Sequence, residues 1–234
     1  MNTKKTVSPQ TLLDTVAEKN HINGGFGAVI ARAGVGKTAL LVQIALYSLL
    51  QRRNVLHVSV NESIQKVCLW YDEVSNKMNR FISNQDSPQE HWDPILTHRM
   101  IMTFGENRFS PSLFKERLSD LTEQGIFYPQ LIIIDGLRIN KDSRSLFENL
   151  KIIASEHDAF MWFSIRLHRH EIAQSDGLPP SFISIQDLFD ATFRVIPKAD
   201  SIDVELSTRM PLDKTIPVLF IDPETMLIQI KTDT

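Results

Sequence analysis

The residues best suited to chemistry lie together in the segment 31–38, which reads Ala-Arg-Ala-Gly-Val-Gly-Lys-Thr. Glycines allow the backbone to turn with its N–H groups pointing inward, which forms a nest for phosphate oxygens. Lys37 can reach the β- and γ-phosphates of a nucleotide, and the hydroxyl of Thr38 can ligate Mg²⁺. The segment therefore predicts a phosphate loop, whose binding residues would be Ala33, Gly34, Val35, Gly36, Lys37, Thr38 and Ala39.

A second anchor, Asp135, follows about a hundred residues later, directly after the apolar run 131–134. A buried strand of this kind delivers one carboxylate to the edge of a sheet, where it can stand beside Mg²⁺. Many buried strands end in Asp, so this pattern indicates a metal site only in combination with the phosphate loop. Thr38 and Asp135 are the predicted metal ligands.

These residues need strands and helices to position them. The run Phe26 to Ala31 predicts a buried strand before the loop, and a helix is predicted from about Lys37 to Gln51. The remaining pattern predicts strands at 54–60, 99–104, 131–135, 160–165, 191–196, 202–207, 216–221 and 226–230, helices around 67–74, 110–125 and 143–157, and loops at 84–94 and 168–185. Alternating strands and helices followed by terminal strands predict an α/β fold. Its central sheet would be mainly parallel, with antiparallel strands at the C-terminal end.

Length and charge limit the classes of protein to consider. A chain of 234 residues suits one α/β domain, predicted at 24–234 after a short amphipathic lead-in at 1–23. The net charge of −3 does not favour a nucleic-acid partner, although a local basic patch would permit one. Cys68 is the only cysteine, and neither a signal peptide nor a membrane-spanning run is recognised. The sequence therefore predicts a cytoplasmic protein with no membrane partner.

The phosphate loop and Asp135, with two predicted strands between them, resemble the RecA/KaiC/DnaB-like branch of the P-loop ATPases. The resemblance extends over nearly the whole chain from Gly24, although only its short motifs are specific. It implies a three-layer RecA-like P-loop NTPase fold, with ATP as the nucleotide and Mg²⁺ as its metal. The chain departs from the pattern at Ala31, which stands where the first glycine of the loop is usual.

In this branch a glutamate that polarises the attacking water follows the strand after the phosphate-loop helix. Here that strand ends in Asn61-Glu62, which looks like the KaiC-type pair of successive glutamates with an amide in the first place. The resemblance implies that Glu62 is catalytic, together with Lys37. A carboxylate can accept a proton, whereas an amide only orients water, so hydrolysis would be slow if Asn61 held the catalytic place. The alternative is that Glu62 only solvates the start of the next helix.

Two arginines match further motifs of the branch. The segment 164–169 is similar to the DnaB-like Ser-Gln-Leu-Asn-Arg ending, which implies that Arg166 replaces the switch residue that senses the γ-phosphate. The segment 206–209 resembles the Lys-x-Arg finger inserted into a neighbouring subunit, with Arg209 as the arginine and Ser207 in place of the lysine. This implies a homo-oligomer, arranged head to tail, in which Arg209 is catalytic in trans. The alternatives are a solvated basic turn for Arg166 and a surface arginine for Arg209.

Three functions follow as hypotheses. The first is an Mg-dependent ATPase whose site lies at a head-to-tail subunit interface. The second is a nucleotide-binding regulatory or scaffold protein with a protein partner and little hydrolysis, which Ala31, Asn61 and Ser207 favour. The third is a small relative of DNA recombinases or helicases, with DNA-contacting loops at 136–142 and 169–186 that hold few charges.

Overall fold

A computed structural model describes residues 24–82, 88–105, 108–167, 178–199, 201–209 and 218–230, and within them the side chains outside 80–82 and 88–91. The predicted lead-in at 1–23 lies outside the described residues. The strands are β1 (Phe26–Arg32), β2 (Val55–Ser59), β3 (Arg99–Thr103), β4 (Leu131–Asp135), β5 (Phe160–Leu167), β6 (Ala191–Pro197), β7 (Ile202–Thr208), β8 (Leu219–Ile221) and β9 (Ile228–Ile230). The helices are α1 (Lys37–Leu50), α2 (Ile64–Ile82), α3 (Pro88–Leu96), α4 (Pro111–Glu123), α5 (Arg144–Glu156) and α6 (Pro180–Ile183), followed by a 3₁₀ turn at Gln186–Leu188.

All nine strands belong to one sheet, in the order β3-β2-β4-β5-β1-β6-β7-β8-β9. The pairs from β3 to β6 are parallel, and those from β6 to β9 are antiparallel. The expected α/β class is therefore confirmed, as is a mostly parallel sheet with antiparallel C-terminal strands. The carboxyl ends of β1, β2, β4 and β5 meet at one edge of this sheet, and the phosphate loop follows β1 at that edge.

Helices cover both faces of the sheet, because its central strands are apolar on both sides. In β1 the residues Phe26, Ala28 and Ile30 pack into the core beneath α4 and α5. Val29 and Ala31 point the other way, into the core beneath α1 and α2. Helix α1 is apolar nearly all round and buries nine residues, so its N-terminus is held firmly behind the phosphate loop.

Gly27 in β1 lies directly beside Trp162 in β5, its partner in the parallel pairing. A Cβ atom at Gly27 would be 2.4 Å from the indole ring, so no side chain fits there. The same indole stacks on Phe193 of β6, with ring centroids 5.5 Å apart. The large ring thus fills space above β1 that only a glycine leaves open.

The predicted loop at 84–94 is wrong for its described part, since residues 88–96 form α3. Pro88 is the first residue of this helix, a position whose N–H would have no acceptor within the helix, so proline is tolerated there. Trp92 is buried, and its indole N–H donates a 2.6 Å hydrogen bond to Asn79 of α2. Tertiary packing of one aromatic residue therefore overrides a segment that reads as polar and proline-rich.

The predicted surface loop at 168–185 is also wrong where it is described. Residues 168–177 lie outside the described residues, but Pro180–Ile183 forms α6. Phe182 and Ile185 are fully buried, and the ring of Phe182 contacts Phe189 at 5.1 Å between centroids. Two apolar residues three apart thus anchor a segment whose prolines suggested a loop.

Across the described part of the chain, no helix combines the length and the apolar character needed to cross a membrane.

Candidate functional site

The predicted phosphate loop, residues 31–38, connects the end of β1 to the start of α1 and turns at two glycines. Gly34 and Gly36 have φ angles of 78° and 86°, in the left-handed region where other residues are strained. The carbonyl of Gly36 accepts the first hydrogen bond of α1, from the N–H of Leu40 at 3.0 Å. None of the residues in the first turn of α1 is acidic, so the helix does not neutralise the positive end of its own dipole. The loop can therefore attract an anion.

Lys37 lies folded over this loop. Its Nζ atom donates hydrogen bonds to the carbonyl oxygens of Ala31 at 3.2 Å and Arg32 at 2.8 Å. Burial lowers the pKa of Lys37, the nearby Asp135 carboxylate partly opposes this, and Arg166 adds to the lowering. The loop thus holds a poorly solvated cation that gains from a bound anion.

Thr38 and Asp135 meet directly. The Thr38 hydroxyl donates a 2.8 Å hydrogen bond to Asp135 Oδ2, which joins the start of α1 to the end of β4. Both are oxygen ligands of the kind that Mg²⁺ prefers, and this ion usually takes one or two protein oxygens and completes its shell with water and phosphate. Within the described ranges no group of three or more His, Cys, Asp or Glu side chains gathers. Two protein oxygens are enough for an Mg²⁺ ion that arrives with a phosphate ligand.

The end of β2 carries Glu62 on a braced turn. Ser59 Oγ accepts the N–H of Glu62 at 3.0 Å and donates to its carbonyl oxygen at 3.1 Å. The Glu62 carboxylate pairs with Lys66 at 2.8 Å, and both side chains are about half exposed. An exposed pair of this kind is weak, so it leaves Glu62 available to water. Glu62 thus contacts the first turn of α2, as the helix-start alternative expects, and it also lines the cleft at this edge of the sheet.

Asn61 has a structural contact of its own. Its Nδ2 atom donates a 2.8 Å hydrogen bond to the carbonyl oxygen of Gly136, directly after Asp135. The N–H of Gly136 donates in turn to Ser164 Oγ of β5, also at 2.8 Å. Gly136 has a φ of 89°, and a Cβ there would lie 2.9 Å from Asn61 Nδ2. These bonds join the carboxyl ends of β2, β4 and β5.

One open cleft of about 370 Å³ collects the predicted residues at this edge. It is lined by Lys37, Thr38, Glu62, Asp135, Arg138 and Arg166, among others. Arg166 follows Ile165 at the end of β5, and its register partner is Ala31 at the end of β1. The lining therefore combines three cations with two carboxylates, which suits a ligand with several phosphates and a metal ion.

Arg209 lies at the opposite edge of the sheet. Strand β7 is antiparallel, so its last residue, Thr208, pairs with Ala191 at the start of β6. Arg209 Nη1 is 3.8 Å from Asp190 Oδ1, and the N–H of Arg209 donates to the Asp190 carbonyl oxygen at 2.8 Å. The structure does not bring Arg209 to the cleft of its own chain. Its predicted catalytic role therefore requires a neighbouring copy.

Asp190 is the centre of a buried polar cluster at that far edge. Its Oδ2 atom accepts the N–H of Phe26 at 2.9 Å and the Lys151 ammonium group at 3.0 Å. The ammonium group also lies 4.3 Å from the centre of the Phe26 ring. This cluster fixes the beginning of β1 relative to α5 and β6.

Sequence reasoning missed the supporting residues. The sequence places Arg138 only in the predicted DNA loop at 136–142, yet it lines the cleft. The sequence assigns no role to Ser59 or Ser164, although a hydroxyl near the end of an apolar strand is a visible signal, and it places Gly136 only in the predicted DNA loop. Their function depends on which strand ends are neighbours, and that order is set by the fold.

No model of a known protein family matches this chain, and no curated protein matches it either.

Proposed function

We propose that this protein is an Mg-dependent ATPase of the RecA/KaiC-like class, with its site in the cleft at the carboxyl edge of the sheet. The observation that carries the proposal is the contact of Thr38 with Asp135 beside a lysine folded over a glycine-turned loop. These are the groups that a nucleoside triphosphate and its metal require, and they come from separate parts of the chain. On this proposal the fold is a RecA-like P-loop fold, and the protein works in the cytoplasm.

Binding of ATP would use charge that the free protein holds at some cost. Lys37 is partly buried and its pKa is lowered, so phosphate oxygens would replace the loop carbonyls as its partners. The N–H groups of 33–39 would surround the β-phosphate, and Arg166 would contact the γ-phosphate. Mg²⁺ bound at Thr38 and Asp135 would neutralise charge on the phosphate oxygens.

Hydrolysis would depend on Glu62. A water molecule attacks the γ-phosphorus, the bond from that phosphorus to the β-bridging oxygen breaks, and Glu62 takes the proton released by the water. The products are ADP and inorganic phosphate. Ser59 supports this role, because its two hydrogen bonds keep the backbone of Glu62 fixed while the carboxylate stays half exposed.

Assembly would supply Arg209. Its side chain is 60% exposed at the edge of the sheet opposite the cleft. In a head-to-tail homo-oligomer this edge of one copy would face the cleft of the next, and the guanidinium group would stabilise the charge of the transition state.

A second candidate is a nucleotide-binding regulatory protein with a protein partner and little hydrolysis. The observation that favours it is the hydrogen bond from Asn61 to the Gly136 carbonyl oxygen, which gives the first of the two candidate positions a structural role, in a side chain that cannot accept a proton from water. Nucleotide binding would then be communicated through the joined ends of β2, β4 and β5. Binding of DNA has less support, since Arg138, from the predicted DNA loop at 136–142, lines the cleft.

Calorimetric titration with Mg-ATP and a phosphate-release assay test the proposal on three variants. Lys37→Ala should abolish measurable binding, while Lys115→Ala, an exposed lysine of α4 on the other face of the sheet, should bind as the parent does. Glu62→Gln should bind ATP normally and release phosphate on the order of a hundredfold more slowly. Equal binding by Lys37→Ala and the parent would refute the site. Normal binding with negligible phosphate release in the parent would select the regulatory function.

A further inference from the structure

The turn between β8 and β9 lies against the phosphate loop. A Cβ atom placed on Gly36 would be 2.5 Å from the Met226 methyl group, so this methyl group rests directly on the loop. Met226 is half-buried and also packs against the core around α1. The C-terminal antiparallel strands thus reach the loop that would hold phosphate.

Met226 is held at this place by hydrogen bonds on each side. Gln43 of α1 is fully buried, and its amide donates to the Met226 carbonyl oxygen and accepts the N–H of Ile228, both at 2.8 Å. The N–H of Met226 donates to the Asp222 carbonyl oxygen at 2.7 Å. Met226 also has a φ of 58°, in the left-handed region that few residues other than glycine adopt. The side chain therefore starts from a fixed backbone position.

The order of the strands indicates which part of a nucleotide would meet Met226. Apart from Thr38 at the start of α1, the residues proposed for the γ-phosphate and the metal come from the ends of β2, β4 and β5, which all lie on one side of β1 in the sheet. Strands β6 to β9 lie on the other side of β1. If the γ-phosphate lies at Asp135, the triphosphate extends across the loop, and the nucleoside lies on the side of β6 to β9.

We propose that Met226 forms the wall that contacts the base of the bound nucleotide, so that the β8–β9 turn selects a purine. This inference rests on the proposed function of the cleft. A thioether is polarisable and makes favourable contacts with aromatic rings, and a purine offers a larger face than a pyrimidine. Met226 is then a specificity residue that touches neither the phosphates nor the metal.

Titrations with two ligands separate this role from simple support of the loop. Mg-ATP has a base, whereas Mg-tripolyphosphate has only the phosphates. Met226→Ala should weaken ATP binding about three- to tenfold and leave tripolyphosphate binding within about twofold of the parent. Met226→Leu, which keeps the bulk of the side chain, should have an affinity for ATP between those of the parent and Met226→Ala. An equal loss of affinity for both ligands, or no loss for either, would overturn the inference.

The unmodified protein gives a second readout, because the ligands are titrated into the parent chain itself. With methyl-labelled methionine, the Met226 methyl resonance, assigned by its loss in Met226→Leu, should move strongly on adding Mg-ATP and little on adding Mg-tripolyphosphate. Equal shifts would contradict contact with the base. Lys37→Ala keeps the two proposals apart: if it binds both ligands as the parent does, the proposed function fails. If it loses both while Met226→Ala loses neither, only the role of Met226 fails.

Discussion

The hydroxyl of Thr38 and the carboxylate of Asp135 are joined by a 2.8 Å hydrogen bond across 97 residues of sequence. The bond connects α1, which follows β1 along the chain, to β4, which lies two strands away from β1 in the sheet. A divalent ion between these oxygens would need the hydroxyl proton to turn away, and it would then bind both oxygens at once.

Asp135→Asn should therefore separate binding of the nucleotide from binding of its metal. An amide oxygen is a weaker ligand than a carboxylate, so we expect the gain in ATP affinity that Mg²⁺ gives to fall by about ten- to a hundredfold. Affinity measured with a chelator present should stay close to that of the parent. Calorimetry with and without Mg²⁺ checks this, and an unchanged magnesium dependence would show that the ion binds elsewhere.

Removing the charge of Lys37 should stabilise the protein without nucleotide. Burial lowers the pKa of Lys37 from 10.5, so the fold disfavours its charged form relative to the unfolded chain. Stability should thus rise as pH increases from the lowered pKa to 10.5. Above 10.5 the proton is lost from both the folded and the unfolded state. Lys37→Met should have the higher Tm near pH 7, and its advantage should shrink across that window. Thermal melts from pH 7 to 10.5 test the direction, and a lower Tm for Lys37→Met at pH 7 would contradict it.

His57 should make the protein sensitive to acid. It is fully buried in β2, and its Nδ1 atom is 3.2 Å from the Tyr71 hydroxyl. Burial lowers the pKa of His57 from 6.5 to about 4, with Asp135 opposing the shift and Arg99 adding to it. The unfolded chain therefore takes up a proton between these values while the folded chain does not, and stability falls as pH drops from about 6.5 to about 4.

The loss from His57 should be about 2 kcal/mol between pH 7 and pH 5. His57→Gln, which keeps a polar group near Tyr71 but does not titrate, should be less stable at pH 7 and should lose less stability on acidification. Urea unfolding at both pH values measures this. Equal losses for variant and parent would assign the acid sensitivity to other groups.

Two inactive variants should restore each other if Arg209 acts in trans. Lys37→Ala has a defective cleft but an intact Arg209, and Arg209→Ala has the reverse. Mixing them should raise phosphate release at least about tenfold above either variant alone, because some interfaces combine an intact cleft with an intact arginine. Activity that stays at the sum of the two would leave Arg209 with its structural contact to Asp190. Melts of Arg209→Ala serve as the control for folding.

The sequence predicted the parts of this structure that depend on local patterns. The apolar run 131–134 predicted β4, the loop at 31–38 lies between a strand and a helix as predicted, and the short runs from residue 202 onward predicted the antiparallel strands. Packing decided the rest. Burial of the Trp92 indole holds α3 against the core, and burial of Phe182 holds α6. The bond from Asn61 to Gly136 depends on the neighbourhood of β2 and β4, which no local pattern reveals.

The indole ring above Gly27 makes a remote position decisive for the cleft. A methyl group there collides with the buried indole of Trp162, so the ring or the strand β1 has to shift. The carbonyl oxygens of Ala31 and Arg32 that hold Lys37 would move with that strand. Gly27→Ala is thus expected to be a temperature-sensitive lesion whose primary damage is displacement of the ammonium group, with every residue of the cleft still chemically intact.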